Sequence, residues 1–381
     1  MIVLTLNSGS SSLKFGLYRV EDSDLDLLMT GEVEGGELQA RDAQGVTLSG
    51  SPMSAGTTEA AIEAIVSLLA AAKLPPPDAI GLRIVHGGPK LLAHRLIDHD
   101  VERDLELAAA MSPLHAPAAL AMIRLAKASW PRVPQVACLD TAFHSDMPAL
   151  ARTLPIAKEL RALGMQRYGF HGLSCESVVR QLGAALPSRT VVAHLGSGAS
   201  VTAILDGRSV DTSMGLTPSG GVVMATRTGD LDPGILIYLL RERSLDAAML
   251  EDMIDHRSGL LGISGLSGDL RQLHRAAPSN PDARLAIAMF CMSVAKAIAG
   301  MTVTLGGVDA IVFTGGIGEN DTAVRAAVCD HLGWLGVSLA DDRNGNAARR
   351  VDTPGSRCEI HVLPSLEEDQ IARHTAMLVE I

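Results

Sequence analysis

The chain alternates between short, almost continuous apolar runs and longer amphipathic stretches. Ala79 to Val85, Val133 to Leu139, Thr190 to Leu195 and Ala310 to Phe313 are runs of the first kind and predict strands. Thr58 to Lys73 and Ala116 to Ala128 are of the second kind and predict helices. Their alternation predicts sheets covered by helices, an α/β architecture. The opening run, Ile2 to Leu6, has no basic segment before it and meets Lys14 soon after, so it reads as a first strand and not as a signal peptide. Leu285 to Leu305 has membrane length, but Lys296 falls within it and Gly300 interrupts it. Asn280-Pro281-Asp282 makes a good helix start and Gly306-Gly307 a good stop, so a buried core helix is expected there.

One comparison inside the chain says more. Ile2 to Tyr18 reads IVLTLNSGSSSLKFGLY, and Val191 to Gly207 reads VVAHLGSGASVTAILDG. Both are strand, small polar turn, strand. Aligning Ser8-Gly9-Ser10 with Ser197-Gly198-Ala199 places a tight hairpin at the start of each half, which points to a duplication. Gly and Ser at such turns let backbone amides approach an anion closely, so the two turns are candidate phosphate cradles. The chain has no G-x-x-x-x-G-K-[ST] and no strand followed by G-x-G-x-x-G, which sets aside the P-loop and the usual dinucleotide fingerprint.

Length and composition narrow the function. At 381 residues two domains are expected, with small-molecule chemistry in a cleft between them. The chain is 47% hydrophobic and 20% charged, the profile of a folded protein and not of a disordered one. A formal charge of -11 argues against general affinity for nucleic acid or an anionic membrane. The five cysteines, Cys138, Cys175, Cys291, Cys329 and Cys358, form no zinc-like spacing and read as buried thiols in a reducing, cytoplasmic compartment.

Ten short motifs in register then identify a resemblance over nearly the whole chain. They are NSGSSSLKF at Asn7, RIVHGG at Arg83, PLHAP at Pro113, LDTAFH at Leu139, YGFHG at Tyr168, HLGSGAS at His194, ATRTGDLDP at Ala225, SGLLGISG at Ser258, FTGGIGEN at Phe313 and LEEDQIA at Leu366. The chain resembles acetate kinase and its propionate and butyrate relatives. The resemblance implies a two-domain actin-like fold (sugar kinase, Hsp70, actin; ribonuclease H-like) with a duplicated core and an interdomain cleft. Domains are expected at 1–145 and 146–366, with a last helix from 367 to 381 returning to the first. It further implies reversible, direct in-line phosphoryl transfer between ATP and acetate, giving acetyl phosphate and ADP, with Mg2+ (or Mn2+) as the metal, in a homodimer.

A carboxylate is already ionised at neutral pH and needs no general base, so the chemistry asks for positioning and charge neutralisation. The resemblance assigns Arg83 and Arg227 to the acyl carboxylate and the transferring phosphoryl, a task suited to planar bidentate donors. It assigns His171 to a hydrogen bond onto the phosphoryl, His115 and His194 to supporting roles, and Asn7, Asp140 and Glu367 to the metal. Asp140 follows a predicted strand end, where α/β folds place ligands. The nucleotide set is Ser10, Ser12, Lys14, His194, Gly196, Ser197, Gly198, Asp269, Arg271, Gly315, Gly316, Gly318 and Asn320. Val85, Leu114, Phe170 and Pro218 correspond to the acyl slot. Ser197, Ala225, Leu82, Ala116 and Cys175 depart from the common family pattern. So does Leu366, where an Asn usually precedes the two glutamates. From the residues alone, Arg83 also reads as half of a strand-end salt bridge, Arg227 as a partner of Asp230 or Asp232, and Asp269 with Arg271 as an exposed ion pair. Rival functions are a propionate or butyrate kinase, a sugar kinase with Asp140 as base, and a nucleotide-gated binding protein that transfers nothing.

Overall fold

The computed structural model of this chain describes all residues except Ser10, Ser11, Ser23, 49–56, 110–115, Ala347 and Ile381. It divides into two compact units, Met1–Ser145 with Leu366–Ile381, and Asp146–Ser365.

The first unit is built on one sheet. Its strands, in chain order, are β1 (Ile2–Ser8), β2 (Ser12–Glu21), β3 (Asp24–Glu34), β4 (Glu37–Asp42), β5 (Thr47–Leu48), β6 (Ala79–Ile84), β7 (Arg95–Leu96) and β8 (Gln135–Leu139). Among the described residues they lie in the order β5-β4-β3-β2-β1-β6-β8-β7. β1 to β5 form an antiparallel meander, whereas β6 lies parallel to β1 and β8 parallel to β6. Parallel neighbours need a crossover. The Thr58–Ala71 helix supplies the first, and the His99–Ala108 and Ala116–Ser129 helices the second.

Leu4, Leu6, Phe15, Leu17, Ile80 and Leu82 bury their side chains against Ile62, Ile65 and Leu68 of the first crossover helix and Met122 and Ile123 of the third. Val3, Tyr18 and Val20 meet Ala372 and Ala376 of the Glu367–Val379 helix. Small residues let this helix settle closely. A Cβ at Gly81 on β6 would collide with Thr375 Oγ1 and Ile371 Cγ2, so only glycine fits there.

The second unit repeats the plan. β9 (Arg189–Leu195), β10 (Ala199–Leu205), β11 (Arg208–Thr212), β12 (Ala310–Thr314) and β13 (Glu359–Val362) lie in the order β11-β10-β9-β12-β13. β9, β10 and β11 are antiparallel, while β12 runs parallel to β9 and β13 parallel to β12. This is the order and the hand of pairing of β3-β2-β1-β6-β8, so the duplication read from two hairpins extends over five strands.

The alignment that suggested it is corrected by two residues. Ser8 pairs with Leu13 across the first hairpin and Leu195 with Ala199 across the second, so the first turn is one residue longer. Gly9, whose amide donates to Ser12 O, therefore matches Gly196, whose amide donates to Gly198 O. A gapless alignment cannot keep both strands in register.

The Pro281–Leu305 helix begins and ends as its sequence implies. Asn280 Oδ1 accepts from the amides of Asp282 and Ala283, and Gly306 closes the helix at φ 66°. Phe290, Val294, Ile298 and Met301 are buried, yet Leu285, Met289, Met292 and Val303 are exposed. The expectation of a buried core helix is thus met on one face only. Among the described residues of the unit, none covers its opposite face.

Candidate active site

In the first unit the strand ends bring three chemistry-bearing residues together. Asn7 lies near the end of β1, Arg83 near the end of β6, and Asp140 directly after β8; these are three adjacent parallel strands. Their carboxyl ends are the usual ligand side of an α/β sheet. Glu367 and Glu368 open the last helix. Arg83 Nε donates to Asp140 Oδ2 at 2.9 Å, and Nη1 donates to Ser8 O at 3.1 Å and to Asn7 Oδ1 at 3.4 Å. Asn7 Nδ2 in turn donates to Glu367 Oε2 and Glu368 Oε1, each at 2.9 Å. Asp140 is fully buried and Arg83 nearly so.

The salt-bridge reading of Arg83 is therefore the one realised here, with Asp140 as its partner. Burial works to lower the Arg83 pKa, but Asp140, followed by Glu367 and Glu368, holds it above its ordinary value. Glu368 is pushed up by burial and then by Glu367, against the pull of Lys14 and its hydrogen bond from Asn7. Lys14 stands directly across from Asn7 on β2. Two crowded carboxylates with an amide oxygen and Asp140 nearby make an all-oxygen donor set, which suits Mg2+ and relieves the mutual repulsion when the ion binds. Sequence reasoning had preferred Glu367 over Glu368. Asn7 treats them alike, and only their adjacency in the sequence hinted at it.

The second unit holds a different set. His171 caps the Gly172–Leu182 helix in the left-handed region, at φ 58°. That conformation is uncommon for a residue with a side chain. Its ring stacks on His194 of β9, with centroids 4.2 Å apart and planes 22° apart. His171 Nδ1 lies 3.0 Å from Ser200 Oγ, and His194 Nδ1 2.8 Å from Ser174 Oγ. Beside them runs the turn of Gly196, Ser197 and Gly198. A Cβ at Gly198 would stand 3.2 Å from His171 Nε2 and 3.3 Å from Arg227 Nη1, so both donors converge on bare glycine backbone. Arg227 Nη1 also donates to Pro218 O at 3.3 Å. Asp230 instead accepts from the Gly221 amide, and Asp232 caps the Pro233–Glu242 helix.

β12 lies next to β9, so the segment after it comes beside the same turn. Gly315, Gly316, Gly318 and Asn320 belong to the Gly315–Asn320 helix, and the expected Gly-Gly turn is its first turn. Gly315 stands at φ 76°, and a Cβ there would come 2.7 Å from Leu195 O. Asn320 Nδ2 donates to Gly316 O. Two departures from the family pattern meet at one bond, since the Ala225 amide donates to Ser197 O at 3.3 Å.

Asp269 and Arg271 form the exposed ion pair that the bland reading offered. Asp269 caps the Leu270–Ala276 helix, and its hydrogen bond from Arg271 holds it below the usual carboxylate range. Val85 is half-buried and borders a small apolar cavity with Ile84, His86, Leu105 and Leu120. Phe170 and Pro218 are buried in the second unit, and Ser12 opens β2. Ser10, Leu114 and His115 lie outside the described residues.

Comparison with known proteins decides the family. A profile of the acetokinase family matches residues 2–373. The chain belongs to the acetokinase family. An acetate kinase of Nitrobacter hamburgensis is 40% identical to this acetokinase-family chain over 389 residues, covering 99% of it and 96% of the relative. Among solved structures, a propionate kinase of Francisella tularensis is similar with a TM-score of 0.91 at 35% identity, covering 99% of both chains. An acetate kinase of Porphyromonas gingivalis is similar at 0.86 and 34%, again over 99% of both. The duplicated five-strand core described above is the actin-like α/β fold expected of this family. Sequence reasoning missed Ser174 and Ser200. The signals were a His-x-x-Ser spacing at His171 and the cross-strand register that sets Ser200 opposite His194.

Proposed function

We propose that this chain is an acetate kinase, catalysing reversible, Mg2+-dependent phosphoryl transfer between ATP and acetate to give acetyl phosphate and ADP. The observation that carries the reading is the convergence of His171 Nε2 and Arg227 Nη1 on Gly198. An imidazole nitrogen and a guanidinium brought together beside glycine backbone suit the spread negative charge of a transferring phosphoryl group. In the forward direction an acetate oxygen attacks the γ-phosphorus in line, and the bond to the β,γ-bridging oxygen breaks, leaving that oxygen on ADP. We assign the acyl carboxylate to Arg83, the phosphoryl to Arg227 and His171, and the nucleotide to the turn at Gly196–Gly198 and the segment after β12. Arg83 must exchange part of its present bonding with Ser8 O and Asn7 for the incoming carboxylate, while Asp140 keeps it charged and oriented. Asn7, Asp140, Glu367 and Glu368 are the residues that would hold Mg2+, which supplies charge neutralisation on the ATP phosphates.

The deciding experiment incubates the purified protein with ATP, Mg2+ and acetate, propionate, butyrate or no acid, and traps acyl phosphate as the hydroxamate. Acetate-dependent hydroxamate that exceeds the other acids is the expected result. ATP turnover indifferent to every acid would overturn the reading in favour of a nucleotide-gated binding protein. A preference for propionate is the second reading, favoured by the 0.91 similarity to a propionate kinase. One methylene is worth only about 1–3 kcal/mol in an apolar slot, so the ranking of acids must be measured.

We further propose a homodimer, located in the cytoplasm. The Pro233–Glu242 helix has no buried residue and exposes Ile235, Ile237, Tyr238 and Leu240; the Pro281–Leu305 helix exposes Leu285, Met289 and Met292. Apolar surface of this kind is usual for an obligate interface and unusual for a monomer. Light scattering on the eluting protein should give twice the chain mass of 39.9 kDa. The five cysteines are buried and none forms a disulfide, which fits a reducing compartment.

A further inference from the structure

The stacked histidines of the second unit are held by a reciprocal arrangement of two serines. Ser174 lies three residues after His171, in the first turn of the helix that His171 caps, yet its hydroxyl bonds His194. Ser200 is the cross-strand partner of His194 on β10, yet its hydroxyl bonds His171. Ser174 lies on the helix that His171 caps and Ser200 on the strand paired with that of His194, and each holds the other histidine's ring. Both serines are completely buried.

Burial determines the direction of these bonds. Neither Ser200 Oγ nor Ser174 Oγ has a second hydrogen-bond partner among the described residues. A buried hydroxyl hydrogen needs an acceptor, and a lone unpaired donor is costly. For each serine the acceptor at hand is the Nδ1 of the facing ring. If Nδ1 carried the ring proton, two hydrogens would point at each other across 3.0 Å or less, or the hydroxyl would turn into apolar surroundings with nothing to receive it.

We propose that Ser200 and Ser174 are positioning residues: each donates its hydroxyl hydrogen to Nδ1 of its histidine and so fixes the proton of the neutral ring on Nε2. The consequence falls on the turn beside them. Nε2 of His171 faces Gly198 and Nε2 of His194 faces Gly196, at 3.2 Å and 3.8 Å from where a Cβ would stand. With the tautomers set this way, both rings present N–H donors, and not lone pairs, to that backbone. A lone pair at either position would repel a phosphoryl oxygen. The serines thereby set the polarity of the site without touching what binds there.

The test has two arms, and only the kinetic arm rests on the acetate kinase reading. In the first, the protein is 15N-labelled at histidine and its ring nitrogens are observed by long-range 1H–15N correlation near neutral pH. His171→Gln and His194→Gln variants assign the two rings among the twelve histidines. The expected result is the Nε2–H tautomer for both rings, with Ser200→Ala shifting only the His171 tautomer pattern and Ser174→Ala only that of His194. An Nδ1–H tautomer in the unsubstituted protein, or no change on either substitution, overturns the proposal. In the second arm, Ser200→Ala should lower kcat about 10- to 100-fold with KM for ATP and acetate little changed, since misorienting a catalytic histidine costs turnover first. Ser200→Thr, which restores a hydroxyl, should recover most of the loss. An Ala variant at full kcat, or a loss seen only in KM, also overturns it. Should the protein phosphorylate no acid at all, the function reading fails while the tautomer arm still decides this one.

Discussion

The two units share one five-strand plan and use its strand ends in opposite ways. In the first, the ends of β1, β6 and β8 carry Asn7, Arg83 and Asp140, joined with Glu367 and Glu368 into a charged, largely buried hydrogen-bonded network. In the second, the equivalent position to Asn7 at the end of β9 is His194, and the surrounding groups are imidazole rings, hydroxyls and glycine backbone with one arginine beside them. One copy thus holds charge against charge, where each partner is needed for stability. The other holds donors with small residues before them, where space is what matters. A duplicated scaffold fixes where side chains emerge; it leaves their chemistry to drift apart.

That contrast can be broken most forcefully at Arg83. Arg83→Ala leaves Asp140 as a buried charge with its principal partner gone, so a stability loss of about 3–5 kcal/mol is expected in urea titration, together with loss of transfer activity. Pairing it with Asp140→Asn should return much of that stability, and strict additivity of the two would show that they are not coupled. The counterpart in the second unit is Arg227→Ala. Its hydrogen bonds to Pro218 O and the Met224 sulfur, at 3.3 Å and 3.9 Å, are long, so kcat should fall by about 10^3-fold, on the order of 4 kcal/mol, with a smaller shift of the unfolding midpoint than at Arg83. A large drop in midpoint for Arg227→Ala would erase the distinction between the units.

The two turns sharpen the same comparison at smaller magnitude. Gly198→Ala introduces a Cβ 3.2 Å from His171 Nε2 and 3.3 Å from Arg227 Nη1, and a shift of a few tenths of an ångström in either group should reduce kcat by about 10-fold or more. Gly9→Ala meets Ser12 O at 3.4 Å, ordinary contact, and should leave kcat within about twofold. Equal effects at the two glycines would contradict the close approach of His171 and Arg227 to the second turn. The smallest effect concerns Leu366. It occupies the N-cap of the last helix at φ 37°, with no side-chain cap bond. Leu366→Asn suits both the left-handed backbone and the cap, and should stabilise the protein by about 1 kcal/mol, read as a rise of about 2 °C in midpoint.

Much of this was legible in the sequence. Apolar runs placed β6, β8, β9 and β12 within a residue or two of their observed ends, because buried central strands must be apolar throughout. The two SG-containing hairpins announced the duplication, and the cap residues Asn280 and Gly306 bounded the longest helix. The family resemblance, carried by short motifs, also marked Arg83, Arg227, His171 and Asp140 as candidates. Their partners could not be read this way. That Arg83 binds Asp140 follows from β6 and β8 being sheet neighbours, a pairing between residues 57 positions apart. That Glu368 shares Asn7 with Glu367 depends on a helix from the end of the chain returning to β1. Half of the Pro281–Leu305 helix proved exposed because burial depends on which neighbours arrive, a property no local pattern contains. Local pattern determined the elements and the chemical vocabulary of the site. Tertiary structure decided which groups neutralise one another and which face open backbone, because those relations arise only when distant segments are brought within hydrogen-bond reach.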